Sequence, residues 1–175
     1  MKRTLLITAL MVTALGVPWQ ASFAADETAT ATATEKTFIM KAANGGMTEV
    51  ELGKIAAEKG GSDEVKDFGN QMVKDHSKAN DDLKEVAGKM GVEVPAALNA
   101  EHKATVDKFS GMTAGAAFDK AYVHEMIKDH EKDIAEFQAA QKKVKNADLK
   151  SFIEKTIPVM QEHFDMIKKF DQAKK

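Results

Sequence analysis

Three histidines break apolar helical stripes in this 175-residue chain, which has five histidines and no cysteine. His76 stands in the series Val65, Phe68, Met72, His76, Ala79, Leu83, Val86, Met90; His130 in Val123, Ile127, His130, Ile134, Phe137; His163 in Phe152, Thr156, Val159, His163, Ile167, Phe170. Residues at three- and four-residue spacing share one face of a helix, so each imidazole is expected to point into a core with its apolar neighbours. Glu49 takes the same position in Phe38, Ala42, Gly45, Glu49, Leu52, Ala56. Three imidazoles and a carboxylate are the ligand types of a divalent transition metal, Zn²⁺ in a tetrahedral set or Cu²⁺ with higher affinity in an unselective one.

The neighbours of these residues extend the pattern. Asp75, Asp129 and Glu162 each directly precede a histidine. They lie about 100° round the helix from it, placed to accept a hydrogen bond from a histidine on an adjacent helix. Met72, Met126, Met160 and Met166 fall within one turn of the histidines, and thioethers beside imidazoles suit Cu(I). His102 and His124 lie off the stripes and are expected in solvent. A second reading needs no metal: the core histidines satisfy one another through Asp75, Asp129, Glu49 and water, and the methionines fill gaps.

Long helices must bring these residues together. Apolar residues recur at helical spacing throughout, and no stretch alternates with a period of two. The spacing predicts helices over about Lys36 to Lys59, Ser62 to Met90, Leu98 to Phe109, Ala116 to Lys145 and Asp148 to Ala173. Gly60-Gly61 stops the first, Ser62 caps the second, and Asn146 caps the last, where Pro158 is expected to introduce a kink. Two hairpins joined by a long connection predict an all-α, ferritin-like four-helix bundle with a short extra helix in the crossover. Counted from the turns near Gly60 and Asn146 at about 1.5 Å per residue, Glu49, His76, His130 and His163 all fall near mid-helix, at one depth to within roughly 6 Å. The run Met72-Val-Lys-Asp75-His76-Ser-Lys78 also has an echo in Met126-Ile-Lys-Asp129-His130-Glu-Lys132.

The ends and the charge narrow the setting. Met1-Lys2-Arg3, the apolar run from Leu5 to Val17 and Ser22-Phe23-Ala24 read as a secretory signal peptide cleaved after Ala24, so residues 1–24 are an address to the periplasm or the medium. The Ala/Thr-rich stretch 25–35 reads as a disordered leader, and 36–175 as the bundle. No transmembrane segment is expected in the mature chain. Arg3 is the only arginine, and the lysines alternate with acids, which argues against a nucleic-acid partner. No Ser/His/Asp or Cys/His set and no glycine-rich phosphate loop suggests an enzyme.

Several segments carry a resemblance. The signal peptide, Phe38-Ile-Met-Lys-Ala-Ala-Asn-Gly-Gly-Met-Thr-Glu49-Val-Glu51-Leu-Gly-Lys, Asp75-His76-Ser-Lys, Ala117-Phe-Asp-Lys-Ala-Tyr122, Lys128-Asp129-His130-Glu131 and Glu162-His163 are similar to the bacterial DUF4142 family of domains of unknown function. The resemblance implies an exported, ferritin-like protein, often labelled as an outer-membrane protein, with no reaction attached. The chain departs from that label, having neither barrel strands nor a lipid-bearing cysteine. It departs also from the di-iron ferritins, since Val73, Ile127 and Met160 stand where their Glu-x-x-His motif needs glutamate. Two functions follow as expectations: an exported metal-binding bundle for storage, buffering or sensing, or a non-catalytic envelope or stress-related protein that binds a protein partner and whose histidines serve structure alone.

Overall fold

The computed structural model describes residues 30–173. The expected signal peptide and residues 25–29 of the expected leader lie outside the described residues; Ala33 to Glu35 of that leader, expected to be disordered, belong to the first helix. Five helices follow in order: α1 Ala33–Lys59, α2 Asp63–Lys89, α3 Ala100–Ser110, α4 Ala116–Gln141 and α5 Ala147–Ala173. The α1–α2 and α4–α5 hairpins pack through α2 on α5 and α1 on α4, and α3 lies against α1 in the crossover. The bundle is all-helical among the described residues, and none of these helices is long and apolar enough to cross a membrane.

α1 begins at Ala33, three residues before the expected Lys36, for a local reason. The Thr32 side chain accepts the Glu35 N–H, and the Glu35 carboxylate accepts the Thr32 N–H at 2.9 Å, which is a capping box. The other oxygen of Glu35 accepts the N–H groups of Lys145 and Asn146, both at 3.0 Å. One buried carboxylate therefore fastens the start of α1 to the turn that ends α4 at Gln141, short of the expected Lys145. Asn146 caps α5 by accepting the Leu149 N–H at 3.0 Å. Ser62 occupies the N-cap of α2, but its side chain makes no capping hydrogen bond. Pro158 lies within α5, which runs through it unbroken.

Two of the glycines in α1 are explained by packing. A Cβ on Gly53 would stand 2.8 Å from the Gly69 carbonyl oxygen, and one on Gly69 would stand 2.7 Å from that of Gly53, so α1 and α2 meet there backbone to backbone. A Cβ on Gly46 would run into the Asn80 side chain. The crossover is fastened to the α1–α2 turn by Gly115 N–H on the Lys59 carbonyl at 3.1 Å and Gly61 N–H on Asp119 Oδ1 at 2.7 Å. It is fastened to mid-α1 by Asn99 N–H on Asn44 Oδ1 at 2.9 Å.

The core forms two apolar blocks. One is built from Phe38, Ile39, Leu83, Phe137, Phe152 and their neighbours, the other from Leu52, Val65, Phe68, Tyr122, Ile167 and theirs. A layer of four polar residues stands at the junction of the two blocks, Glu49 on α1, His76 on α2, His130 on α4 and His163 on α5; Asn44 and Thr48 are also buried on α1.

Candidate metal centre

All four residues of that layer are buried: His130 is 0% exposed, His163 1%, Glu49 2% and His76 4%. The imidazole centroids lie 5.2 Å apart for His76 and His163, 5.6 Å for His130 and His163, and 5.9 Å for His76 and His130. One ring nitrogen of each histidine lies within 4.8 Å of one on both of the others.

Each ring is held by one nitrogen only. His76 Nδ1 meets Glu49 Oε2 at 2.8 Å, His163 Nε2 meets Asp75 Oδ2 at 2.9 Å, and His130 Nδ1 meets the Met126 carbonyl oxygen at 3.0 Å. A carbonyl can only accept, so His130 carries its proton on Nδ1, and the ionised Asp75 carboxylate likewise favours the His163 proton on the facing Nε2. The opposite atoms, His76 Nε2, His130 Nε2 and His163 Nδ1, are buried without a hydrogen-bonding partner among the described residues. So is Glu49 Oε1, 3.7 Å from His130 Nε2.

The electrostatics keep the three rings neutral. Burial pushes His76 down to about 4 and His130 to about 3, the latter helped by the other two imidazoles. Burial also lowers His163, against the opposing pull of its bond to Asp75. Burial would raise Asp75, but hydrogen bonds from His163 and Gln71 hold it below the usual carboxylate range. Glu49 is raised well above its ordinary value by burial and by the neighbouring Asp129 charge.

The three acids that precede histidines part company here. Asp75 crosses from α2 to His163 on α5. Glu162 is exposed and lines a groove between α2 and α5 of about 650 Å³, which Asp75, His76 and Met160 also line. Asp129 is half-buried and bonds to no histidine; with Asp133 and Glu49 it forms a group in which one oxygen of each lies within 4.8 Å of the others. Burial raises Asp129, while burial with the charges of Glu49 and Asp129 pushes Asp133 up to about 8. Sequence reasoning missed Asp133, although its position one turn after Asp129 was a usable signal.

The remaining residues divide simply. Met72, Met126 and Met160 are buried, the first two in one apolar block and Met160 in the other, with Met166 packed against the first. His124 is exposed, and half-buried His102 bonds to Asn99. Tyr122, also missed, is fully buried, its hydroxyl unpartnered among the described residues and its ionisation pushed up by burial and by Glu49.

Fold and site together define a helical bundle in which all four long helices turn polar side chains into the core, three of them histidines. The chain belongs to the DUF4142 family, described as a domain of unknown function, with the match spanning residues 20–170. No curated protein and no solved structure matches it.

Proposed function

We propose that this protein is exported to the periplasm and binds a divalent transition metal, Zn²⁺ or Cu²⁺, through His76, His130 and His163, for storage, buffering or sensing. The observation that carries the reading is the pairing of roles on each ring. One nitrogen is anchored to a carboxyl group or carbonyl, and the other is buried and unpartnered among the described residues. Metal-bound histidines characteristically show this division, because the anchored N–H fixes the tautomer and aims the lone pair. Nitrogens bound about 2.0–2.1 Å from one ion in a tetrahedral set stand roughly 3.4 Å apart, so the rings need only draw together slightly. Glu49 Oε1, expected as a fourth donor, lies 3.7 Å from His130 Nε2 but is not grouped with all three ring nitrogens. The buried methionines extend the reading to Cu(I), since thioethers favour the softer ion.

A purely structural layer is disfavoured by the same atoms. Leaving a buried donor or acceptor unpaired costs about 1–3 kcal/mol, and four such atoms meet here. The export part of the reading rests on the basic, apolar and small-residue sections of residues 1–24.

The test is elemental analysis of the mature protein, purified without an affinity tag and dialysed against trace Zn²⁺ or Cu²⁺, together with melting curves. Stoichiometric metal that raises the melting temperature and is lost in His130→Gln is expected. Sub-stoichiometric metal that leaves the melting temperature unmoved would overturn the reading. Fractionation of cells producing the full chain tests export.

A further inference from the structure

The internal echo of the sequence is broken in space, and the break leaves a charge problem. Asp75 and Asp129 occupy equivalent places in the two Met-x-Lys-Asp-His segments. α2 packs on α5 and α4 on α1, so both aspartates look across to a neighbouring helix. Asp75 finds an imidazole N–H there at 2.9 Å. Asp129 finds the Glu49 carboxylate, with Asp133 as a third acid in the same group. Where one half of the bundle joins an acceptor to a donor, the other gathers acceptors.

We propose that Glu49, Asp129 and Asp133 hold a second divalent cation beside the three histidines, with Glu49 shared between the two positions. The inference rests on the three-histidine reading above. Three observations support it. Glu49 Oε1 is buried and unpartnered, although its carboxylate lies within reach of both aspartates. Lys132 Nζ approaches Asp133 Oδ1 only at 4.0 Å and from an exposed position, a weak counter-charge for three acids. Gly45 lets Asp133 approach α1 closely, since a Cβ there would stand 3.2 Å from Asp133 Oδ2. Gly45 and Asp133 also line a groove of about 410 Å³ with Asn44, His102 and Glu136, so that Asp133 borders a path to solvent.

The chemistry separates the two positions. Imidazoles suit Zn²⁺ and Cu²⁺, whereas an all-carboxylate set suits a harder ion such as Mn²⁺.

The test loads the mature protein with one equivalent of Cu²⁺, titrates Mn²⁺ and follows both ions by electron paramagnetic resonance. Bound Mn²⁺ that broadens the Cu²⁺ signal is expected. In Asp133→Asn the Cu²⁺ should remain while Mn²⁺ affinity falls by more than about tenfold. Asp129→Asn should behave likewise. Each variant exchanges a carboxyl for an amide of nearly the same shape within a group of acids, so its metal-free melting temperature should hold, which separates loss of a ligand from loss of fold. Bound Cu²⁺ with no Mn²⁺ binding, or Mn²⁺ binding unchanged in both variants, overturns the second position and leaves the three-histidine reading standing. Failure to bind Cu²⁺ overturns both.

Discussion

Asp75→Asn isolates the support of a metal ligand from the ligand itself. The Asp75 carboxylate, 2.9 Å from His163 Nε2, can only accept, so it holds the imidazole proton on Nε2 and leaves Nδ1 bare. An asparagine amide in the same place can donate to Nε2, which drives the proton onto Nδ1, the atom that faces no other partner. The hydrogen bond at stake involves an ionised group and is worth roughly 1.5–3 kcal/mol. At about 1.4 kcal/mol per decade this corresponds to a loss of roughly 10–100-fold in metal affinity. The assay is competition for Zn²⁺ against a chelator of known affinity at neutral pH. Glu162→Gln is the matched control, because Glu162 also adjoins His163 in sequence but is exposed. Its affinity should stay within about twofold of the parent. The Asp75 side chain is 22% exposed, so the metal-free fold should lose no more than about 1 kcal/mol. Unchanged affinity in Asp75→Asn, or an equal loss in Glu162→Gln, would refute the assignment of roles to the two acids.

Other consequences concern the scaffold. Burial would raise the Glu35 carboxyl, but hydrogen bonds from Asn146, Thr32 and Lys145 overcome it and hold the group at about 2. A depressed carboxyl adds stability above its unfolded value and loses it as the pH falls through the folded one. The difference between the parent and Glu35→Ala in urea unfolding should therefore be about 2–3 kcal/mol near neutrality and shrink between about pH 4.5 and 2. A gap that stays constant across that range would count against the linkage. Gly53→Ala should destabilise by about 1–3 kcal/mol in the same assay, because the new methyl meets the Gly69 carbonyl oxygen. Gly88→Ala, within α2 with nothing within 4 Å of the added Cβ, should gain about 0.5–1 kcal/mol. Equal effects at the two glycines would show that helix propensity, not contact, decides them.

The helices were legible because the 3.6-residue period runs almost the length of the chain. The inward register of Glu49, His76, His130 and His163 was legible for the same reason, since a stripe position fixes a direction. What each polar atom touches was not. Asp75 and Asp129 sit in nearly identical local sequence, yet one meets a histidine and the other two acids, because the choice depends on which helix lies opposite. Nothing within either segment records that. The anchor of His130 is the carbonyl of Met126, a backbone atom that no residue type announces. Thr32-Ala-Thr-Glu35 had the spacing of a capping box in plain view, but its setting in an alternating Ala/Thr run masked it. The second task of Glu35, holding Lys145 and Asn146, is a contact across 110 residues, beyond the reach of local pattern.

The layered core bears on what the histidines are for. Apolar blocks lie on both sides of the polar layer, and all four long helices contribute to each of them. A buried polar group kept for stability is often matched or exceeded by an apolar residue of similar volume. His130 is the cleanest place to ask, since it is fully buried and makes one hydrogen bond, to a carbonyl of its own helix, while Nε2 has no partner among the described residues. His130→Leu removes that unpartnered nitrogen and joins Met126 on one side to Ile134 on the other, residues that belong to opposite blocks. The metal-free variant should be as stable as the parent or gain about 1 kcal/mol in urea unfolding, while its stabilisation by Zn²⁺ or Cu²⁺ disappears. Under the structural reading the same change breaks a buried network, and the metal-free protein should fall by about 3 kcal/mol or more with no metal effect in either protein. The two outcomes differ in sign on one axis and in presence on the other, so a single pair of unfolding curves, with and without metal, separates a layer held for a ligand from one held for the fold.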